Sequence, residues 1–442
     1  MLTRRQFLES GCAAVAATTA PLLTRVAWAG PGCEAEYRAL VCVALGGGAD
    51  SFNMLVPTDA SRYSVYARRR GALALQASDL EPLCSGGTGS YGLHRGLGEL
   101  QKHFLAGEVA LLANAGPLRG PGQCGAGAPD LTHTDLIARW QLGQSDCSAR
   151  SGWAGRVADL LQGPCGLDQL PLNVSLSGRN AMQLGERTLT ADLQTQPCRQ
   201  YVGSRAGVDF SYLNEQLEQR VVDAGRPGSI RRKTKLQNEV DLASRQIVAK
   251  VTAGRPAFET RFGSDPFSAD LERIARIIAS RDQLGARRQI FFVHLDGWDH
   301  HHELLASQER LLAILDNGLS AFRDALVELS IFEDVTTFTI SEFGRCLEPN
   351  GSGSDHGWGG HHVVMGGSVF GGQIYGRFPD LSSSGPLDIG GGSFTPTTST
   401  DEYLAELALW LGLPLSDLAY VLPDLSRFWL PGRQTRPLGM LA

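Results

Sequence analysis

The chain has 442 residues, is 43% hydrophobic and 19% charged, and carries a formal net charge of -6 with a pI near 6.0. That composition is globular and excludes a disordered chain. The acidic balance excludes a basic nucleic-acid binder, and the short runs Arg68-Arg69-Arg70 and Arg231-Arg232-Lys233 read as solvated faces.

Residues 1–29 read as a leader. Thr3-Arg4-Arg5-Gln6-Phe7-Leu8 precedes an alanine-rich run and Ala27-Trp28-Ala29. Paired arginines, a weak apolar segment and a small-x-small site resemble a twin-arginine export signal. The apolar run is too short and too rich in alanine to cross a bilayer, which takes about 20 apolar residues. The expectation is export by the twin-arginine machinery to the periplasm or beyond, with no stable membrane span in the mature chain. Residues 30–442 then form one domain with a loop-rich and helical insertion around 155–285. Of nine cysteines, Cys12 lies in the leader and eight remain, an even number compatible with disulfides in an exported protein. Cys42, inside an apolar run, reads as a buried free thiol. No CxxC occurs, which argues against a thiolate zinc site.

Residues 40–45 form a continuous apolar run, the mark of a strand covered on both faces. The run ends in Gly46-Gly47-Gly48-Ala49-Asp50. The phosphate-loop lysine and the GxGxxG spacing are both missing. A carboxylate just beyond a buried strand lies where α/β sheets place ligands, so Asp50 is a metal ligand or anchor, with a turn or cap residue as the bland alternative. A helix over 98–104 leads to a strand at 109–115. Thr132-His133-Thr134-Asp135 opens a helix that runs through Trp140 and stops at Gly143. A hydroxyl there is a cap in most proteins, and a nucleophile where the helix N-terminus faces a developing anion.

The stretch from 155 to about 228 reads as loops, followed by helices over 236–251 and from Asp265-Pro266. Residues 289–295 form the next buried strand, ending in Asp296-Gly297-Trp298-Asp299-His300-His301-His302. Leu311, Leu315, Leu319, Phe322 and Leu326 mark an amphipathic helix. The strand 335–340 ends in Ser341-Glu342-Phe343-Gly344-Arg345, and Asp355-His356 precedes a short strand at 363–365. Ser399 and Glu402 form a capping box and Gly412 stops the last clear helix. Strands alternating with helices predict an α/β fold, a three-layer αβα sandwich with a mostly parallel sheet.

Seven of the ten histidines, His294, His300, His301, His302, His356, His361 and His362, fall between Phe291 and Gly367. With Asp296, Asp299, Glu342 and Asp355 beside them, they point to a divalent ion, with zinc, manganese or iron suited to mixed carboxylate and imidazole ligands. Such ions polarise phosphoryl or sulfuryl oxygens. Some of the carboxylates must orient ligands instead of binding. The bland alternative is a metal-free buried polar network.

The succession Gly47-Gly48-Ala49-Asp50-Ser51-Phe52-Asn53 with Val56-Pro57, Thr132-His133, Gly297-Trp298-Asp299-His300-His301, Ser341-Glu342-Phe343-Gly344-Arg345 and Asp355-His356-Gly357-Trp358-Gly359-Gly360 resembles the exported family designated DUF1501. That family is similar in fold to the alkaline-phosphatase and sulfatase superfamily. The resemblance implies an alkaline-phosphatase-like sandwich with one or two ions at the carboxyl ends of the strands. It implies a metal shell of Asp50, Asp299, His301, Glu342 and His356, with Asp296, His300 and Asp355 as further candidates. Thr132 is then the candidate nucleophile, where relatives tend to have serine. Arg345 contacts an anionic ester or forms a structural salt bridge. Phe343 stands where the superfamily has a paired histidine, and Asp296 stands where the family usually has glycine. One ion or two, and Asp299/His301 or Asp296/His300, therefore stay open. The expected function is hydrolysis of phosphate or sulfate esters. The alternatives are a non-catalytic secreted or cell-surface protein that keeps the fold and one ion, and a phosphomutase.

Overall fold

Arg38–Gly46 has no polar face to turn toward water, so it lies at the centre of a sheet with helices on both sides. The computed structural model describes residues 36–83, 90–118, 132–144, 149–162, 170–194, 227–253, 257–383, 385–432 and 435–442. The leader and Cys33, Cys84, Cys124, Cys147, Cys165 and Cys198 lie outside the described residues. Tyr37–Ala442 forms one unit.

Across the main sheet the strands run Ile374–Gly376, Val109–Gly116, Gly360–Met365, Val335–Ile340, Arg38–Gly46, Arg288–Asp296, Asn173–Ser175 and Ala191–Asp192, and Thr398–Ser399 also pairs with Val109–Gly116. Gly360–Met365 runs antiparallel to both neighbours, and the other pairings are parallel. The alternation along the central strand shows the layers. Val41, Val43 and Leu45 pack with the helices Gly98–Leu105, Pro266–Ala279 and Leu304–Glu328. Leu40, Cys42 and Ala44 pack with His133–Leu142, Trp153–Leu161 and Thr400–Leu411. This is the expected α/β sandwich.

Local chemistry explains most boundaries. Asp265 caps Pro266–Ala279 by accepting the Ser268 N–H, with proline in the first turn. Ser399 and Glu402 form the capping box, and Gly412 ends that helix in the left-handed region. Cys42 is a buried free thiol, and Cys346 is a second free thiol among the described residues.

The stretch read as loops contains the helix Trp153–Leu161 and two strands that extend the main sheet. Those strands are only three and two residues long and carry Asn173, Ser175 and Asp192, so they show no apolar period. Tertiary bonds define them instead, as where the Asn173 amide donates to the carbonyls of Ala154 and Gln183. Among the described residues no helix is long and apolar enough to cross a membrane.

The parallel register brings Gly46 beside Asp296, and Ala44 beside Ile340, so three loops leave the sheet at one edge. The candidate site is built from them.

Candidate metal centre

The Gly46-Gly47-Gly48 turn is the floor. Gly47 and Gly48 have φ of +119° and +85°, a region side chains avoid. A Cβ on Gly47 would lie 2.5 Å from the Asp299 backbone nitrogen, and one on Gly48 would enter the Phe343 ring. Only glycine lets this turn touch the other two strand ends. The freed N–H groups form an anion-binding nest, filled from within by Glu342. Gly47 N–H lies 2.9 and 3.1 Å from its two oxygens, and Gly48 N–H donates at 3.0 Å.

Glu342 also lies 3.3 Å from Nδ1 of His133. His133 is the first residue of the helix His133–Leu142, whose cap is Thr132. Its ring packs edge-on against His356, with centroids 4.6 Å apart, and tilts against Phe343 at 4.9 Å. Nε2 of His133 is buried without a hydrogen-bond partner and lies 3.8 Å from an Asp299 oxygen. The other Asp299 oxygen is 3.4 Å from His356 Nε2 and 3.1 Å from His301 Nε2. The two latter nitrogens are 3.0 Å apart, so they cannot both carry a proton toward each other. His133, Asp299 and His356 each offer a ligand atom within 4.8 Å of the others. Phe343 stacks on His356 with centroids 4.3 Å apart.

Arg345 secures the arrangement. Its fully buried guanidinium ion-pairs with Asp299 and donates to the carbonyls of Gly47 at 2.7 Å, Gly48 at 2.8 Å, Ser354 at 2.8 Å and Trp298 at 3.3 Å. Burial alone would raise the pKa of Asp299, but the His356 hydrogen bond, Arg345 and the His133 ring outweigh it and hold the carboxyl well below the usual range. Burial lowers His301, and Arg345 adds to that against the opposing pull of Asp299.

An orphaned buried imidazole nitrogen facing a carboxylate, with a second imidazole within reach, is a donor set suited to a zinc-like ion. The residues present therefore fit a divalent ion. Among the described residues this is the one cluster of that kind.

The other expected site residues are not members of that three-residue cluster. Asp50 is fully buried and ion-paired with Arg70, also fully buried. Asn53 completes that network by accepting from Tyr66 Oη at 2.8 Å and Arg70 Nε at 3.1 Å. The expectation that Arg68–Arg70 is a solvated face fails at Arg70, which the tight Asp50 pocket takes inside. Asp296 pairs with His294 at 3.1 Å. His300 is buried beside Trp298, and burial pushes its pKa down to about 3. Asp355 is mostly exposed, accepts from the Asn350 amide at 2.5 Å and lies 3.8 Å from His301. Thr132 is exposed at the helix cap, where its hydroxyl accepts the Asp135 N–H at 3.3 Å. His133 is the residue that sequence reasoning passed over, although the motif containing it was singled out for the adjacent hydroxyl.

No curated protein matches the chain. Among solved structures it is similar to the PsFucS1 sulfatase from Pseudoalteromonas sp., with 12% identity, a TM-score of 0.37, and 88% of this chain and 73% of that one covered. The lipoteichoic acid synthase LtaP from Listeria monocytogenes matches at 9% identity and a TM-score of 0.34, covering 88% and 76%. An alkaline phosphatase from the Antarctic bacterium TAB5 matches at 10% identity and a TM-score of 0.29, covering 75% and 92%. Residues 37–388 match the family described as a protein of unknown function, DUF1501, and the chain belongs to that family.

Proposed function

We propose that the protein is an exported, metal-dependent hydrolase of phosphate or sulfate esters. The observation that carries this reading is the convergence of His133, Asp299 and His356, with the buried Nε2 of His133 left without a hydrogen-bond partner. These three hold the ion, with His301 at the mouth of the site. The ion, zinc, manganese or iron, supplies positive charge that polarises the oxygens of a small anionic ester. Arg345 acts by holding Asp299 in place, since its donors are spent on Asp299 and on backbone carbonyls. Thr132, exposed one residue before His133, supplies the attacking hydroxyl at a helix N-terminus that favours negative charge. Its oxygen displaces the alcohol from the phosphorus or sulfur, its proton leaves with that alcohol, and water then releases the acid. The leader suits this reading, because the twin-arginine route carries proteins already folded.

Metal analysis of the exported protein tests the proposal, followed by assays with aryl phosphate and aryl sulfate esters. The expected result is one equivalent of a transition metal, and turnover that chelation stops. No metal, with stability unchanged by chelator, would sink it. A non-catalytic protein that keeps one ion is the second reading. It is favoured by the single cluster among the described residues and by Phe343 lying against both histidines. Bound metal without turnover would select it.

A further inference from the structure

We propose that Glu342 is a positioning residue: it fixes His133 in the tautomer that presents an Nε2 lone pair to the ion, and it is not itself a ligand. The inference rests on the metal reading above and deepens it. Glu342 is fully buried, and both oxygens already have partners. One accepts from Gly47 N–H at 2.9 Å and meets His133 Nδ1 at 3.3 Å; the other accepts from Gly47 N–H at 3.1 Å and Gly48 N–H at 3.0 Å. The Ser341 hydroxyl lies 3.4 Å from the second oxygen and 2.9 Å from the Leu45 carbonyl. Both oxygens already serve as acceptors of backbone N–H groups, and the geometry assigns Nδ1 of His133 as one more donor to them. The proton then sits on Nδ1 and the lone pair on Nε2, the nitrogen that faces Asp299 at 3.8 Å. A carboxylate behind a ligating imidazole fixes ring orientation and raises ligand basicity.

The same carboxylate couples the site to the glycine turn. Gly47 also packs on the Asp299 backbone, so Glu342 and Asp299 are registered against one turn. His133, from a separate helix, is tied to that turn through Glu342.

Glu342→Gln tests the role with little change of shape. Its amide oxygen can keep the Gly48 bond, while its NH2 faces Nδ1 and donates, which drives the His133 proton to Nε2. Zinc affinity, measured by competition with a chromophoric chelator, should fall about 10–100-fold, while Asp299→Asn removes binding altogether. In metal-free wild type, above the ordinary imidazole range of pH, heteronuclear NMR should find His133 protonated on Nδ1, and in Glu342→Gln on Nε2. Loss of binding as complete as in Asp299→Asn would make Glu342 a ligand and overturn the proposal. Unchanged affinity in Glu342→Gln would overturn the role of Glu342 alone. If that variant does not fold, the wild-type tautomer still decides, because a proton on Nε2 refutes the positioning. Failure of the wild type to take up zinc, cobalt or manganese sinks the metal reading itself, and this proposal with it.

Discussion

Two buried carboxylates lie on either side of the glycine turn, and their partners separate them. Asp50 has no solvent exposure and faces Arg70, which has none either. The Arg70 guanidinium also donates to Asn53 Oδ1 and to the carbonyls of Cys346 and Leu347, and the Tyr66 hydroxyl donates to the same Asn53 oxygen. Asp299 also has an arginine, Arg345, but three imidazoles share its oxygens. Its side chain is 11% exposed, that of His356 24% and that of His301 38%, so this side is open to solvent. Arginine stays protonated and can only balance a charge, whereas neutral imidazole offers a lone pair. The first carboxylate thus faces a permanent cation, and the second faces groups that can offer lone pairs.

The largest effect expected from this contrast is on stability. Arg70→Met leaves the Asp50 charge buried and uncompensated, which costs about 3–5 kcal/mol. Denaturant unfolding should show the loss, and the variant that remains folded should still take up metal. Metal uptake that disappears in folded Arg70→Met would break the comparison and draw Asp50 into the site. Asp299→Asn should do the reverse for metal: uptake is lost even where the variant folds, and its own stability cost is softened by the partial exposure of Asp299 and by an amide oxygen that still accepts from Arg345. The pH dependence follows from the lowered pKa of Asp299. A carboxyl with a depressed folded pKa contributes stability that is present above its unfolded value near 4, and that stability fades as pH falls toward the folded value. The metal-free wild type should thus lose its advantage over Asp299→Asn as the pH drops below about 4. An advantage constant down to acid unfolding would mean that Asp299 is not held ionised by its neighbours.

These two carboxylates also mark how far the sequence is legible. Apolar runs, caps and the leucine stripe identify the central strands and the long helices, because each signal is local. The edge strands at 173–175 and 191–192 leave no such trace, since side-chain amides and neighbouring strands hold them. At the candidate site, the places of Asp299, His301 and His356 at strand and loop ends are legible in the sequence. The contribution of His133 is not, because it depends on a helix that begins more than a hundred residues earlier and meets Glu342 only in the folded chain. Asp50 reads as a ligand for the same reason that Asp299 does: both follow a buried strand. Its partner is the last arginine of a run that composition alone assigns to the surface, and only the packing of Ala60–Arg70 on the Arg345–Pro349 strand turns that arginine inward.

Gly47→Ala tests whether the shared turn is what registers the two sides. The new Cβ would meet the Asp299 backbone at 2.5 Å, at a φ of +119°. Strain of about 1–3 kcal/mol is expected, together with a weaker metal site, because Asp299 must shift away from His133. Full stability with unchanged metal affinity would show that the turn adapts without moving Asp299.

The smallest effect on stability, and the most informative about chemistry, is expected at Thr132. Its hydroxyl accepts one N–H at 3.3 Å, so Thr132→Ala should cost about 1 kcal/mol as a lost cap. Metal affinity should not change, since His133 is held through Glu342 and by packing against Phe343 and His356. Ester turnover should vanish in Thr132→Ala and return in Thr132→Ser, which restores both the cap and a hydroxyl. If turnover persists in Thr132→Ala at the reduced stability, the hydroxyl is a cap and nothing more, and the attacking group comes from solvent. That result would remove Thr132 from the proposed chemistry and leave the metal proposal standing without it.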